Sequence, residues 1–173
     1  MNILLKSIFL GAMLLFDVFA CRAQAPELDK KYGFRDLSFG RDVSTISGLI
    51  PAMSSLEHTW FTRPTDKLQI GDAPLTSIRY RFYKNRFYTV EITAPYSSDS
   101  PLLKALQAAY GSGYQYEFYK NVAWEANGSR AVITYKEDKT AGTVKVEMWS
   151  SEVGAQMEYD TKEAAKAKAK ADL

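Results

Sequence analysis

Between residues 77 and 149, apolar side chains recur at every second position over most of the chain, the period of strands that bury one face. The clearest case is SIRYRFY at 77–83 followed by FYTVEIT at 87–93. Their apolar faces, Ile78, Tyr80 and Phe82 on one strand and Tyr88, Val90 and Ile92 on the other, meet if Lys84-Asn85-Arg86 forms a three-residue loop. That register pairs residue 82 with 88 and 80 with 90, and on the reverse face it sets Arg79 against Glu91 as a cross-strand charge pair.

Four further strands are predicted at 114–119, 121–126, 129–136 and 143–149. Asn127-Gly128 reads as a two-residue hairpin turn that places Trp124 opposite Ala131, so the sequon-like Asn127-Gly128-Ser129 is explained as a turn. A four-residue loop at 138–141 pairs Ile133 with Val146 and Tyr135 with Val144. Upstream, residues 32–39 read as a strand ending at Gly40, and residues 59–63 and 67–70 as short strands, the second leading into the turn Gly71-Asp72.

Helical periods interrupt this pattern. Asp42 is placed to cap a short helix carrying Val43, Ile46, Leu49 and Ile50 before Pro51. Ser98-Asp99-Ser100-Pro101 starts a second, with Leu102, Leu103, Leu106, Ala109 and Tyr110 on one stripe and Gly111 as its stop. At 160–173, Asp160 and Glu163 resemble a capping box, and the lysines spread around the helix and leave no apolar face. That composition predicts a solvated helix, with contact to an acidic surface as the sharper alternative.

The resulting expectation is an α+β fold: an antiparallel β-sheet with two helices packed on one face and a polar C-terminal helix. Helix plus meander occurs twice, with Asp42 and Asp99 as the two helix starts, which suggests a duplicated unit. The division is a signal peptide at 1–23, a single domain at 24–159 and a polar lysine- and alanine-rich helix or tail at 160–173.

The leader changes the meaning of the composition. Lys6, an apolar run from Ile8 to Phe16 and the small residues Ala20, Ala23 and Ala25 have the layout of a secretory signal, and the run is too short to span a bilayer. Cleavage after Ala25 would leave Pro26 first, which hinders the peptidase; cleavage after Ala23 avoids this. A third reading takes Val18-Phe19-Ala20-Cys21 as a lipobox, which would lipidate Cys21 and tether the protein to a membrane, although Phe19 fits that motif poorly. Cutting after Ala23 removes the only cysteine, and with it disulfides, thiolate metal sites and a cysteine nucleophile. The expected location is periplasmic or extracellular, with a membrane tether only through Cys21.

The full chain has 173 residues with 22 Lys and Arg against 20 Asp and Glu, a balance that argues against a nucleic-acid partner. With His58 as the single histidine, a two-histidine metal site is excluded, and an ordinary structural role is expected for that residue. There is no glycine-rich phosphate loop, no GxSxG elbow and no HExxH, so no cofactor, metal or catalytic residue is assigned. Glu91, Glu117, Glu125 and Glu147 stand singly along strands, and a glycosidase-like carboxylate pair would have to assemble in three dimensions.

Aromatic density is the remaining signal, with twelve Phe, Tyr and Trp residues between Tyr80 and Trp124. Tyr83 and Phe87 are expected opposite the core beside Arg79 and Arg81, and Tyr114, Tyr116 and Phe118 alternate on another strand. Arg79, Arg81, Tyr83 and Phe87 are therefore the candidate binding residues, on a face suited to an envelope protein, a peptide, a carbohydrate or another small ligand. The competing expectation is that the segment following Ile50 or the C-terminal helix covers this face.

Three segments carry a resemblance. YGFRDLSFG at 32–40, IRYRFY with RFY at 78–88 and the helix at 103–111 ending Ala-Tyr-Gly are similar to a group of small exported bacterial proteins of unknown function. These share an FGFR-x-L-x-F/W-G start, a Y-x-F-Y hairpin and a YG-ended helix. In topology alone, helix plus meander twice over resembles SmpA/BamE-like and β-lactamase-inhibitor-like envelope proteins, which act by binding other proteins. Gly40 is followed by Arg41-Asp42 where the SmpA-type signature has Met and a capping Thr or Ser, so no functional residue is carried over. The expectation is a non-enzymatic binding module of the bacterial envelope; the alternative is a cell-wall or polysaccharide hydrolase using paired carboxylates.

Overall fold

In the computed structural model, residues 26–54, 58–97, 99–115, 121–125 and 128–171 are described. The leader with Cys21, Asn127 of the Asn-Gly turn, and Tyr116 and Phe118 of the strand predicted at 114–119 lie outside the described residues. The elements in chain order are α1 (Pro26–Lys31), β1 (Gly33–Phe34), β2 (Leu37–Ser38), a 3-10 turn (Val43–Thr45), β3 (Ile50–Ser54), β4 (His58–Thr62), β5 (Gln69–Ile70) and β6 (Ala73–Pro74). There follow β7 (Ser77–Tyr83), β8 (Arg86–Pro95), α2 (Pro101–Tyr110), β9 (Tyr114–Gln115), β10 (Asn121–Trp124), β11 (Ala131–Asp138), β12 (Thr143–Ser150) and α3 (Ser151–Ala171).

The fold is α+β around one antiparallel eight-stranded sheet ordered β3-β4-β7-β8-β12-β11-β10-β9. Two meanders, β3-β4-β7-β8 and β9-β10-β11-β12, join edge to edge where their last strands pair, from Thr143 opposite Pro95 to Trp149 opposite Thr89. The β5–β6 hairpin is inserted in the first meander, between β4 and β7. Helix content differs between the halves as well: Asp42 does cap, accepting from the Ser44 amide at 2.9 Å, but only a single 3-10 turn follows before the chain enters β3. Ile50 is consequently a strand residue and is exposed, not part of a helical stripe.

Two helices do cover one face, and the first of them is α1 instead of the helix expected after Asp42. Leu28 of α1 and Leu102 and Leu106 of α2 are buried in the same cluster as Ile78, Tyr80, Val90, Ile92, Ile133 and Val146. Trp124, with no exposed surface, donates from Nε1 to the Gly111 carbonyl at 2.8 Å, so the indole both fills the core and closes the end of α2.

Residues 32–39 form a tight hairpin where one strand was expected. Arg35 sits at φ 54°, and Gly33 faces Ser38 so closely that a Cβ on it would lie 2.1 Å from the Leu37 carbonyl oxygen. The polar tip of this hairpin is bound: Arg63 donates to Asp36 at 2.8 and 2.9 Å and to Asp66 at 2.7 and 2.9 Å, and Tyr80 donates its hydroxyl to Asp66 at 2.5 Å. Hydrogen bonds from Arg63 hold the Asp36 carboxyl at about 2. Much of the YGFRDLSFG segment is thereby accounted for as architecture, since Phe39 also stacks on Phe87 at 5.0 Å.

The registers near the turns depart from those expected. Lys84 and Asn85 form a two-residue turn, both with positive φ, so Tyr83 pairs with Arg86 and Phe82 with Phe87. A β-bulge at Tyr88 then restores the predicted pairs, Tyr80 with Val90 and Arg79 with Glu91. At the other hairpins the pairing slips by two residues: Trp124 opposes Ile133 rather than Ala131, and Tyr135 opposes Val146 rather than Val144. A slip of two preserves the buried face. In the second case Asp138 accepts from the Ala141 amide and Gly142 takes φ 65°, moving the turn toward the glycine.

Helix α3 begins at Ser151, directly after β12, well ahead of the start expected at Asp160. Ser150, fully buried, accepts from the Val153 amide at 3.1 Å and also bonds to Tyr32 Oη at 2.7 Å.

Candidate functional site

The sheet's second face is built by alternation out of phase with the core. β7 contributes Arg79, Arg81 and Tyr83; β4 sets Trp60 opposite Arg81 and His58 opposite Tyr83; β8 contributes Thr89 and Glu91; and β12 places Trp149 opposite Thr89 and Glu147 opposite Glu91. The bulge delivers Tyr88 to this face, where it forms a small cluster with Tyr83 and Val153 of α3. The same bulge sends Phe87 through the sheet to the main core, against Phe39, Tyr80 and Phe82. Phe87 is fully buried there and is not part of the face on which it was predicted.

Tyr83 is on the expected face, but α3 covers it. Only 1% of its surface is exposed, Val153 and Met157 pack on it, and its hydroxyl donates to Asp160 Oδ2 at 2.9 Å. Lys84 bonds to the same oxygen at 2.7 Å. Hydrogen bonds from Lys84, Gln156 and Tyr83 hold the Asp160 carboxyl at about 2, so the contact is ionised at any ordinary pH. His58 packs beside this contact, its ring 5.5 Å from that of Tyr83 and 6.0 Å from that of Tyr88.

Beyond α3 the two arginines remain together and half-buried. The Arg81 guanidinium lies 4.8 Å from the Trp60 ring and 4.9 Å from the Tyr88 ring, and that of Arg79 lies 4.9 Å from Trp60. The order Arg79, Trp60, Arg81, Tyr88 is thus a stack of alternating cations and rings. Its members have different electrostatic surroundings. Arg79 donates to Glu91, which Lys145 also reaches at 3.2 Å. Burial alone would raise the Glu91 carboxyl, but the hydrogen bonds from Arg79 and Lys145 outweigh it and leave it below its ordinary value.

Arg81 has no such partner. It reaches only Thr89 Oγ1, at 3.5 Å, its Nε is enclosed without a hydrogen bond, and no carboxylate among the described residues forms an ion pair with it. No family model, curated protein or solved structure matches this chain. The reading of the site therefore rests on its own geometry.

That geometry can hold an anionic group: a guanidinium held between two aromatic rings, with no carboxylate paired to it among the described residues, keeps N–H donors for one. Trp60, Tyr88 and Trp149 are the residues that sequence reading missed. Trp60 and Trp149 were legible from strand phase, since each falls opposite a residue already assigned to this face. Among the described residues, no group of three or more His, Cys, Asp and Glu is placed to hold a metal ion, and no helix is long and apolar enough to cross a membrane.

Proposed function

We propose that this is an exported bacterial envelope protein that acts by binding another protein, and that Arg81, stacked between Trp60 and Tyr88, receives an acidic group of that partner. The observation that carries the reading is the half-buried Arg81 without a carboxylate, on a face where the half-buried Arg79 and the buried Glu91 are paired with each other. The leader at 1–23 supports export. Burying a partner's carboxylate against this guanidinium supplies the missing charge and contributes affinity as well as orientation.

The hydrolase alternative needs two carboxylates, one of them protonated. Glu91 and Glu147 are direct cross-strand neighbours, but Glu91 is held ionised, the reverse of what a general acid requires. The test is affinity capture from envelope extracts with wild type and with Arg81→Gln combined with Trp60→Ala. Recovery of the partner is expected to fall at least about tenfold, the loss of roughly 1.4 kcal/mol at a hot spot. Unchanged recovery from a correctly folded variant dismisses this face. Tyr83 is left intact because it anchors α3.

A further inference from the structure

A second site lies on the far side of the sheet from Arg81, beside α2. Its cavity, about 480 Å³, is lined by Asp99, Ser100, Lys104, Gln107, Gln115 and Glu137, among others. This volume falls within the range of small-molecule sites. Two features mark it as more than a surface dent.

The first is Ser100. It precedes Pro101 at the start of α2 in the left-handed region, with φ 40° and ψ 61°, and its side chain does not cap the helix. The conformation is costly for a residue with a Cβ, and such strain persists where surrounding contacts hold it. Here it brings the Ser100 hydroxyl to 3.0 Å from Tyr135 Oη and 3.1 Å from Glu137 Oε1.

The second is Glu137 itself. Tyr135 and Ser100 both donate to Oε1, while Oε2 is enclosed and has no hydrogen-bond partner among the described residues. A carboxylate accepts and cannot donate, so what is missing is a donor. An unpaired buried acceptor is costly, and the carboxylate torsion of glutamate is soft enough to turn this oxygen toward the cavity. Among the described residues, the charged groups around the cavity are Asp99, Glu137 and Lys104, and Lys104 is bound to Asp99. Among the described lining residues one negative charge is left uncompensated, on the residue whose oxygen lacks a donor.

We infer that this cavity binds a small ligand bearing a primary ammonium group, which donates to the free carboxylate oxygen of Glu137. A charged donor is favoured over a hydroxyl because it answers both the missing hydrogen bond and the missing charge. Ser100 and Tyr135 act as positioning residues, holding the Glu137 side chain beside the cavity through hydrogen bonds to its carboxylate. The site is independent of the Arg81 face, and neither reading depends on the other.

Putrescine and butane-1,4-diol, a diamine and a diol on the same four-carbon chain, are the probes, titrated into the full chain at neutral pH and followed by NMR. Saturable shifts centred on Ser100, Gln107 and Tyr135 are expected with putrescine at concentrations up to about 10 mM, with no more than a tenth of that affinity for the diol. Glu137→Gln should weaken putrescine at least about tenfold while Arg81→Gln leaves it unchanged. The inference is overturned if putrescine gives no saturable shifts, if the diol binds as well as the diamine, or if folded Glu137→Gln binds like wild type. The diamine-to-diol comparison needs no variant, so it decides the matter even if Glu137→Gln fails to fold.

Discussion

The two faces of the eight-stranded sheet solve burial in different ways. One is sealed by α1 and α2 over an apolar layer in which Trp124, Tyr80, Phe87, Val90, Ile92 and Ile133 are almost wholly enclosed. The other is closed at one end by α3, and beyond it by its own long side chains. Thr89 and Glu91 are buried there, at 1% and 4% exposure, in a face that also carries Trp60, Arg79, Arg81 and Lys145. A helix that docks on apolar residues fixes a core and hides the sheet residues beneath it. A roof of stacked arginines and rings keeps charged donors at the surface while still excluding water, and this is the combination a recognition surface needs.

The sharpest test of this contrast uses neighbours in sequence. Phe87 and Tyr88 are adjacent but on opposite faces because of the bulge. Phe87→Ala should cost about 3–5 kcal/mol of unfolding free energy, the range for deleting a buried phenylalanine. Tyr88→Ala removes a ring from the small cluster beneath α3 and should cost about 1–2 kcal/mol, since that site can relax toward solvent. Denaturant melts of the two variants read the difference directly, and equal costs would mean that the second face is as much a core as the first.

Charge at the second face adds a pH dependence of its own. The Glu91 carboxyl lies below its ordinary value in the folded state, so its contribution is present above about pH 5 and is lost as pH falls through the folded value. Glu91→Gln should therefore be less stable than wild type by about 1–2 kcal/mol at neutral pH. The gap should narrow steadily on acidification, as seen in thermal melts between about pH 7 and pH 3. A gap independent of pH would show that Glu91 acts there through packing alone.

How much of this was readable depended on whether a feature survives a two-residue shift. The core face of β10, β11 and β12 was legible because every slip that occurred was even, and Ile133, Tyr135, Val144 and Val146 stayed inward. The hairpin β7–β8 defeated the same reasoning close to its turn. Alternation admits a three-residue loop or a two-residue turn with a bulge, and only the backbone of Lys84 and Asn85 chooses between them. Of the four residues proposed for binding, Arg79 and Arg81 lie beyond the bulge and keep their face, Phe87 lies before it and loses its place, and Tyr83 keeps its face but is covered. Helix α3 was misjudged because Val153 and Met157, the residues that dock it, precede the segment in which the helix was sought. The Ser100 and Glu137 cavity had no sequence signal at all, since it depends on residues far apart in the chain meeting beside α2.

The smallest expected effect separates the two halves of α3. Its first part is fixed by Val153, Met157 and Asp160, which contact Tyr83, Tyr88 and Lys84. Its second part is exposed, and its ion pairs, Lys162 with Glu158 and Lys166 with Glu163, are local surface pairs within one helix. Exposed pairs of this kind contribute little to stability. Truncating the chain after residue 161 should consequently change the unfolding free energy by less than about 0.5 kcal/mol and leave capture through Arg81 intact. A larger loss of stability would mean that the lysine-rich half takes part in covering the face. Loss of capture at unchanged stability would instead make it a second contact with the partner's acidic surface, the one outcome that gives the polar end of α3 a function.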